Sequence, residues 1–413
     1  MAHPVLTALE TGQDILFSAA RQAGKPDSRK IHISEANGRI IAEDVISSYD
    51  LPPGPTSAVD GFAISAKRHA DNPDTKFRII GTARAGHPFT GIINEDEAVR
   101  IYTGAIMPEG PDCVQMHEDC QHDGEMVSSA LLLSAQTNIR PQGENLARGE
   151  LLVEKGQRLS ATAIGQLSAG GVSDISCYQS LRATILSMGD EIIPAGSGGL
   201  AAGQIFDSNR PMLSSLVGQT GAEQIDGGIV GDSKDKLVAA YKQALNDSDI
   251  VISSAGASDG VEDHTQAALA EIGADVLFWR LAIKPGRPVC VARYGDKFIF
   301  CLPGNPVAVF VCFMLLVRPA MDILAGGEPR ALLKLPVKAS FSYKKRKGRT
   351  EFLRGRLEIG ADGQPELHIH GRKGAGVISS LLGADGLIEI PREAEHIEAG
   401  EMLNFIPFAE GGL

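Results

Sequence analysis

Residues 249–265 read DIVISSAGASDGVEDHT, and this stretch decides the fold class. The β-branched run Ile250, Val251, Ile252 passes into small residues with two glycines, and Glu262 and Asp263 then open a helical pattern. A parallel strand whose tight C-terminal loop leads into a helix reads this way, and such loops are where open α/β sheets bind ligands. Backbone N–H groups at the helix start suit an oxyanion, and Gly256 and Gly260 let one approach closely. Carboxylates at the same spot repel that anion unless a cation lies between them. Other parts of the chain are therefore expected to supply positive charge.

Outward from this stretch, residues 178–328 alternate strand and helix patterns. RATILSM runs into Gly189-Asp190-Glu191, a helix is predicted over 212–220, a strand ends near Asp232, and a helix over 234–246 carries its apolar side chains on one face. Strands near 276–278, 289–292 and 298–302 follow, then a long helix from Pro306. The expected fold is multidomain α/β, with a doubly wound, mostly parallel sheet at its centre. An elongated helical domain is expected from 1–47 and 148–177, including a short helix near 34–41, with a β-rich domain inserted at 48–147. In that insertion Asp123-Gly124 marks a hairpin turn. Short alternating strands over 329–413 suggest a small C-terminal β-barrel.

A length of 413 residues suits about two to four domains. The net charge of −12 argues against nucleic acid or an anionic membrane as the main partner. The basic run KKRKGR at 344–349 reads as a charged loop of the barrel. Six cysteines without a CxxC or zinc-like spacing read as reduced thiols, which points to the cytoplasm. The start lacks a signal-peptide pattern, and the apolar run 307–317 is too short to span a bilayer. His117, Cys120 and His122, like His368 and His370, read as polar strand surface ahead of metal ligands.

Carboxylates recur at predicted strand ends: Asp190 and Glu191, Asp207, Asp232, and Asp263. In a doubly wound sheet these ends converge on one crevice, although a single strand-end carboxylate is commonly only a helix cap. Positive charge follows in RLAIKPGRP as Arg280, Lys284 and Arg287, and LPGNP places Asn305 as a candidate cap before Pro306. Carboxylates and cations on one rim suit a phosphorylated substrate bridged by Mg²⁺. P-loop, GxGxxG and HExxH signatures are absent.

The set SAVDGFA (57–63), YTGAIMPEGPDCV (102–114), SMGDE (187–191), SSAGASDGVED (253–263), LAIKPGRP (281–288), LPGNP (302–306) and GRTEFLRG (348–355) resembles the MoeA-type molybdopterin molybdenumtransferases, relatives of the gephyrin E domain. The resemblance implies insertion of molybdate into adenylylated molybdopterin, with Mg²⁺ and release of AMP. It implies a homodimer whose cleft is shared between subunits, and contacts with other enzymes of the pathway. Carried over by motif, Asp60, Thr103, Glu191, Asp232, Asp263 and Lys284 are the implied catalytic residues, with Glu191 and Asp263 as Mg²⁺ ligands. Arg140, Asp190, Ser254, Gly256, Ser258, Gly260, Arg280, Arg287, Pro303, Asn305, Pro306 and Ser379 or Ser380 are the implied substrate contacts. The chain departs from the family pattern at Asn145, at Pro55-Thr56-Ser57, at Ala255-Gly256 and at Arg280. Asn145 and the Pro55-Thr56-Ser57 segment motivate one alternative, a non-catalytic molybdopterin-binding or scaffold paralogue.

Overall fold

The computed structural model describes residues 6–255, 264–329 and 332–408. Its centre is a six-stranded sheet in the order Glu223–Val230, Arg182–Met188, Ile250–Ser254, Lys297–Leu302, Cys290–Tyr294, Asp275–Trp279. The first four strands pair in parallel and the last two join antiparallel. Ile250–Ser254 is buried along its whole length, as a strand covered by helices on both faces must be. One face carries Leu213, Val217 and the helix from Pro306, and the other carries Leu237, Tyr241 and Leu269.

Arg182–Met188 lies between the strand that follows it in the chain and the next strand but one. The connections therefore leave in opposite directions, and a crevice opens at the C-terminal ends of Arg182–Met188 and Ile250–Ser254. The helix after the first strand is Asn209–Gly218 and starts earlier than the apolar pattern suggests. Pro211 falls in its first turn, where no backbone donor is needed.

The helical run from Pro306 continues through a π-helical turn, Phe313–Val317, to Leu324. Its 19 residues are long and apolar enough for a membrane span by length and composition, which corrects the estimate from the apolar run alone. Packing explains the composition: 89% of its apolar window is buried inside the protein.

Leu9–Gln22 sinks Leu9, Leu16, Ala19 and Ala20 into the same core. Ser28–His32 pairs antiparallel with Asp174–Tyr178, and Val45–Ile46 with Leu151–Val153, so residues on either side of the inserted domain meet. The helix expected near 34–41 is only a 3-10 turn, Ile33–Glu35. Gly38 takes a φ of 76°, and Ile40 and Ile41 are drawn into bridges with Arg158 and Cys177. The inserted domain is a mixed six-stranded sheet in which Asp123-Gly124 does join two antiparallel strands, Cys120–His122 and Met126–Ser129.

Beyond residue 332 five strands close into a barrel, since Thr350–Ile359 pairs with both Pro365–Ile369 and Gly386–Ile390. A sixth strand, Ile283–Lys284, comes from the α/β part and pairs in parallel with Thr350 and Glu351. No disulfide links the cysteines among the described residues.

Arg158 ties the N-terminal part to the α/β core, donating to the carbonyls of Gly38 at 2.6 Å and Thr220 at 2.8 Å and to Asp322 Oδ1 at 2.7 Å. The Asp322 side chain is 3% exposed, so losing this partner is costly. Arg158→Ala is expected to lower stability by about 3 kcal/mol, read from urea unfolding.

Candidate functional site

At the switch point the strand ends are joined by hydroxyls. Ser187 Oγ donates to Asp207 Oδ1 at 2.9 Å and lies 3.4 Å from Ser254 Oγ, and all three residues are buried. Asp207 also accepts from the backbone of Arg210 at 3.1 Å and pairs with its guanidinium at 2.9 Å, fixing the start of Asn209–Gly218. Asn209 reaches across the crevice, its Nδ2 donating to Gly304 O at 2.7 Å. A Cβ on Gly304 would lie 3.4 Å from the Ala255 Cβ, so the 303–306 turn packs directly on Ala255, the residue after the strand.

The acidic rim is built on close backbone approach. Asp190 N–H donates to Asp232 Oδ2 and Asp232 N–H to Asp190 Oδ1, each at 3.2 Å, so the two carboxylates face each other's loops. Gly189 has a φ of 137°, and a Cβ there would meet Glu191 Oε2 at 2.3 Å. Glycine is therefore what lets Glu191 fold back over its own turn.

The basic side is tied to the barrel, although the Lys284 side chain remains half exposed. Lys284 Nζ pairs at 3.1 Å with Glu351 Oε2, whose side chain is 3% exposed. The Tyr343 hydroxyl donates to the same oxygen at 2.9 Å. Burial, with that bond to Glu351, pushes the Tyr343 phenol up to about 12. These groups line a cavity of about 300 Å³ together with Arg354 and Lys373. Arg287 is exposed, and Arg280 sits at the end of Asp275–Trp279 with a φ of 68°.

Pro306 opens the long helix, as expected, and Pro303, an implied substrate contact, is buried. Asn305 makes no side-chain cap, which corrects the capping expectation. Its Oδ1 instead lies 3.4 Å from where a Cβ on Gly376 would be, against the barrel. The barrel serines divide: Ser379 is exposed, while Ser380 is buried, donating to Val377 O at 2.6 Å and accepting from Arg354 Nε at 3.0 Å. Gly256, Ser258, Gly260 and Asp263 lie outside the described residues.

Asp60 and Thr103 form a second centre on the inserted domain. Asp60 Oδ1 accepts from the Thr103 backbone N–H at 2.8 Å and from its hydroxyl at 2.7 Å. Those two bonds hold the Asp60 carboxyl below the usual carboxylate range. A Cβ on Gly61 would fall 1.9 Å from Gln115 O, which explains the glycine of SAVDGFA. Gly104 N–H donates to Ser57 O at 2.8 Å, so the two motifs are bonded to one another. Arg140 pairs with Thr56 across a short ladder and ion-pairs with Glu144 at 2.6 Å. Asn145 donates its backbone N–H to Leu51 O at 2.9 Å.

Glu351, Tyr343, Arg354 and Lys373 were not among the residues singled out from the sequence. Glu351 and Arg354 lie in the wholly buried first half of Thr350–Ile359, and two charged residues inside the motif GRTEFLRG are the signal that could have marked them.

Three family models match the chain in order: the MoeA N-terminal region (domain I and II) over residues 6–171, a probable molybdopterin binding domain over 184–322, and the MoeA C-terminal region (domain IV) over 336–408. A molybdopterin molybdenumtransferase of Haemophilus influenzae is 35% identical, the match covering 92% of this chain and 93% of that protein. One from Nostoc is 30% identical, over 97% and 88% respectively. A crystal structure of the molybdopterin biosynthesis moeA protein from Pyrococcus horikoshii OT3 superposes with a TM-score of 0.83 at 26% identity, covering 98% of this chain and 100% of that one.

Two outcomes follow from the geometry. Ala255 has a φ of 72°, where a side chain costs about 1–2 kcal/mol. That exceeds the extra entropy a glycine loses on folding, about 0.4–1 kcal/mol, so Ala255→Gly should raise the urea midpoint. Thr103→Ala should raise the Asp60 pKa toward its ordinary value, read by NMR titration. Because the folded pKa is depressed, the stabilisation is present above the usual carboxylate range and is lost as pH falls through the depressed value.

Proposed function

The chain belongs to the MoeA-type molybdopterin molybdenumtransferase family, an enzyme family of molybdenum cofactor biosynthesis, and on that basis we propose that it inserts molybdate into adenylylated molybdopterin with release of AMP. The observation that carries the reading is the crevice itself, where a carboxylate rim at the switch point faces a proline turn clamped by Asn209 and the nearby Lys284 cavity. The scaffold alternative is not favoured, because the similar curated proteins are named as transferases.

In this reading the crevice floor between Ser187, Ser254 and Gly304 receives the phosphate end of the pterin, with Asp190 at its rim and Ser258 as a further contact. Arg280, Lys284 and Arg287 offset substrate charge, and Glu351 keeps the Lys284 ammonium turned toward the cavity. Mg²⁺ suits the donor set, since it takes hard oxygen ligands and needs only one or two carboxylates when a substrate phosphate supplies others. The facing loops of Asp190 and Asp232, with Glu191 beside them and Asp263 downstream, would hold it. When bound, the ion would neutralise the charge of the pyrophosphate.

Asp60 and Thr103 keep their hydrogen bonds within the inserted domain. We assign them to the crevice of a second copy in a homodimer, with Arg140 on the same face. A cytoplasmic location and contacts with other enzymes of the pathway complete the proposal.

Purified protein with Mg²⁺, molybdate and adenylylated molybdopterin is expected to release AMP and yield active cofactor. Asp232→Asn is expected to lower that release about a hundredfold, the upper end of what metal-site partners contribute. No AMP from the unaltered protein would refute the reading.

A further inference from the structure

A net charge of −12 is unfavourable for an enzyme whose substrates are themselves anions, because the protein as a whole repels them at long range. Local positive charge at the entrance would reverse that sign where it matters. Residues 344–349, KKRKGR, carry five cations in six positions. This turn joins Tyr343 to Glu351 through Thr350, and both Tyr343 and Glu351 line the cavity that holds Lys284. The turn is thereby anchored at both ends to residues of the cavity wall.

Its cations have different tasks. Lys345 is structural: its ammonium donates to the carbonyls of Pro391 at 2.9 Å, Arg392 at 3.2 Å and Ala394 at 3.1 Å. Burial holds the Lys345 pKa below its ordinary value, against the opposing charges of Glu351 and Glu393. Lys344 and Arg346 are exposed and have no ion pair among the described residues. Lys347 meets Glu395 at 3.6 Å with both side chains more than half exposed, a contact of little energetic weight. Across the cavity Lys373 stands 5.1 Å from the centre of the Tyr343 ring. The acidic groups on the facing 391–398 segment are Glu393, Glu395 and Glu398, and Glu393 and Glu398 are engaged with Arg392 at 3.8 Å and His396 at 3.4 Å. Exposed cations left without partners are not needed for folding.

We propose that Lys344, Arg346 and Lys347 form an electrostatic entry rim that captures the anionic substrates, the pyrophosphate end of the adenylylated pterin and the molybdate dianion, and steers them into the Lys284 cavity. The proposal rests on the functional reading above and adds a role for residues outside the crevice. Screening confines such a field to about 8 Å at physiological salt, so the rim acts at the mouth and not across the molecule. Capture is strengthened while the reacting complex is left unchanged, which separates the rim from the residues that bind substrate in the crevice.

The test compares the unaltered protein with the neutral variant K344Q/R346Q/K347Q and the charge-conserving variant K344R/R346K/K347R. AMP release is followed at about 20 mM and about 200 mM salt, concentrations that bracket the screening range. The neutral variant is expected to lose about tenfold in kcat/KM at low salt, to approach the unaltered protein at high salt, and to keep its kcat. The charge-conserving variant should match the unaltered protein throughout. An unchanged salt dependence in the neutral variant would overturn the rim, and so would an equal loss in the charge-conserving variant. Calorimetry with inorganic pyrophosphate gives a readout independent of turnover. Salt-sensitive binding by the unaltered protein and weak binding by the neutral variant support the rim, and equal binding by both refutes it. Absence of AMP release from the unaltered protein refutes the functional reading and leaves the pyrophosphate comparison to decide the rim.

Discussion

The structure depends on one buried strand. Ile250–Ser254 is hydrogen-bonded in parallel on both sides, to Arg182–Met188 and Lys297–Leu302, and covered by helices on both faces. Polar function along it is possible only at its C-terminal end. There Ser253 meets the Tyr241 hydroxyl at 3.1 Å, and Ser254 approaches Ser187. Because the chain leaves Arg182–Met188 toward one edge and returns beside it on the other, Asp207, Asp232 and the 303–306 turn are all delivered to the same end. Sheet order alone therefore assembles a site from segments separated by more than a hundred residues.

A second pairing extends that site. Ile283–Lys284 leaves the α/β part to pair with Thr350 and Glu351 of the barrel, which sets Lys284 against a buried carboxylate. A lysine in a solvated loop would be a diffuse charge; held by Glu351 and bordered by Tyr343, it becomes an oriented donor at the wall of a cavity. The barrel thus supplies much of that cavity's wall. The same pairing anchors the C-terminal end of the 344–349 turn to the cavity wall.

The α/β alternation, the closed barrel and the inserted β domain were legible because each has its own spacing of apolar residues. The convergence of Asp190 and Asp232 was legible too, since strand-end loops of a doubly wound sheet meet by topology. Side-chain bonding was not. No local pattern distinguishes Ser380, which is turned inward onto Arg354, from the exposed Ser379 beside it. Glu351 was hidden for a related reason: its partner, Lys284, is 67 residues away, and only the pairing of two short strands brings them together. The expected helix near 34–41 failed because Ile40 and Ile41 have tertiary partners that outweigh a weak local preference.

The central claim is that molybdate and adenylylated molybdopterin meet in the crevice at the end of Ile250–Ser254. Anomalous diffraction at the molybdenum edge, from crystals holding both substrates, tests it most directly. A molybdenum peak is expected between the Asp190–Asp232 rim and the Lys284 cavity. A reproducible peak elsewhere on the molecule, with that crevice empty, would contradict it.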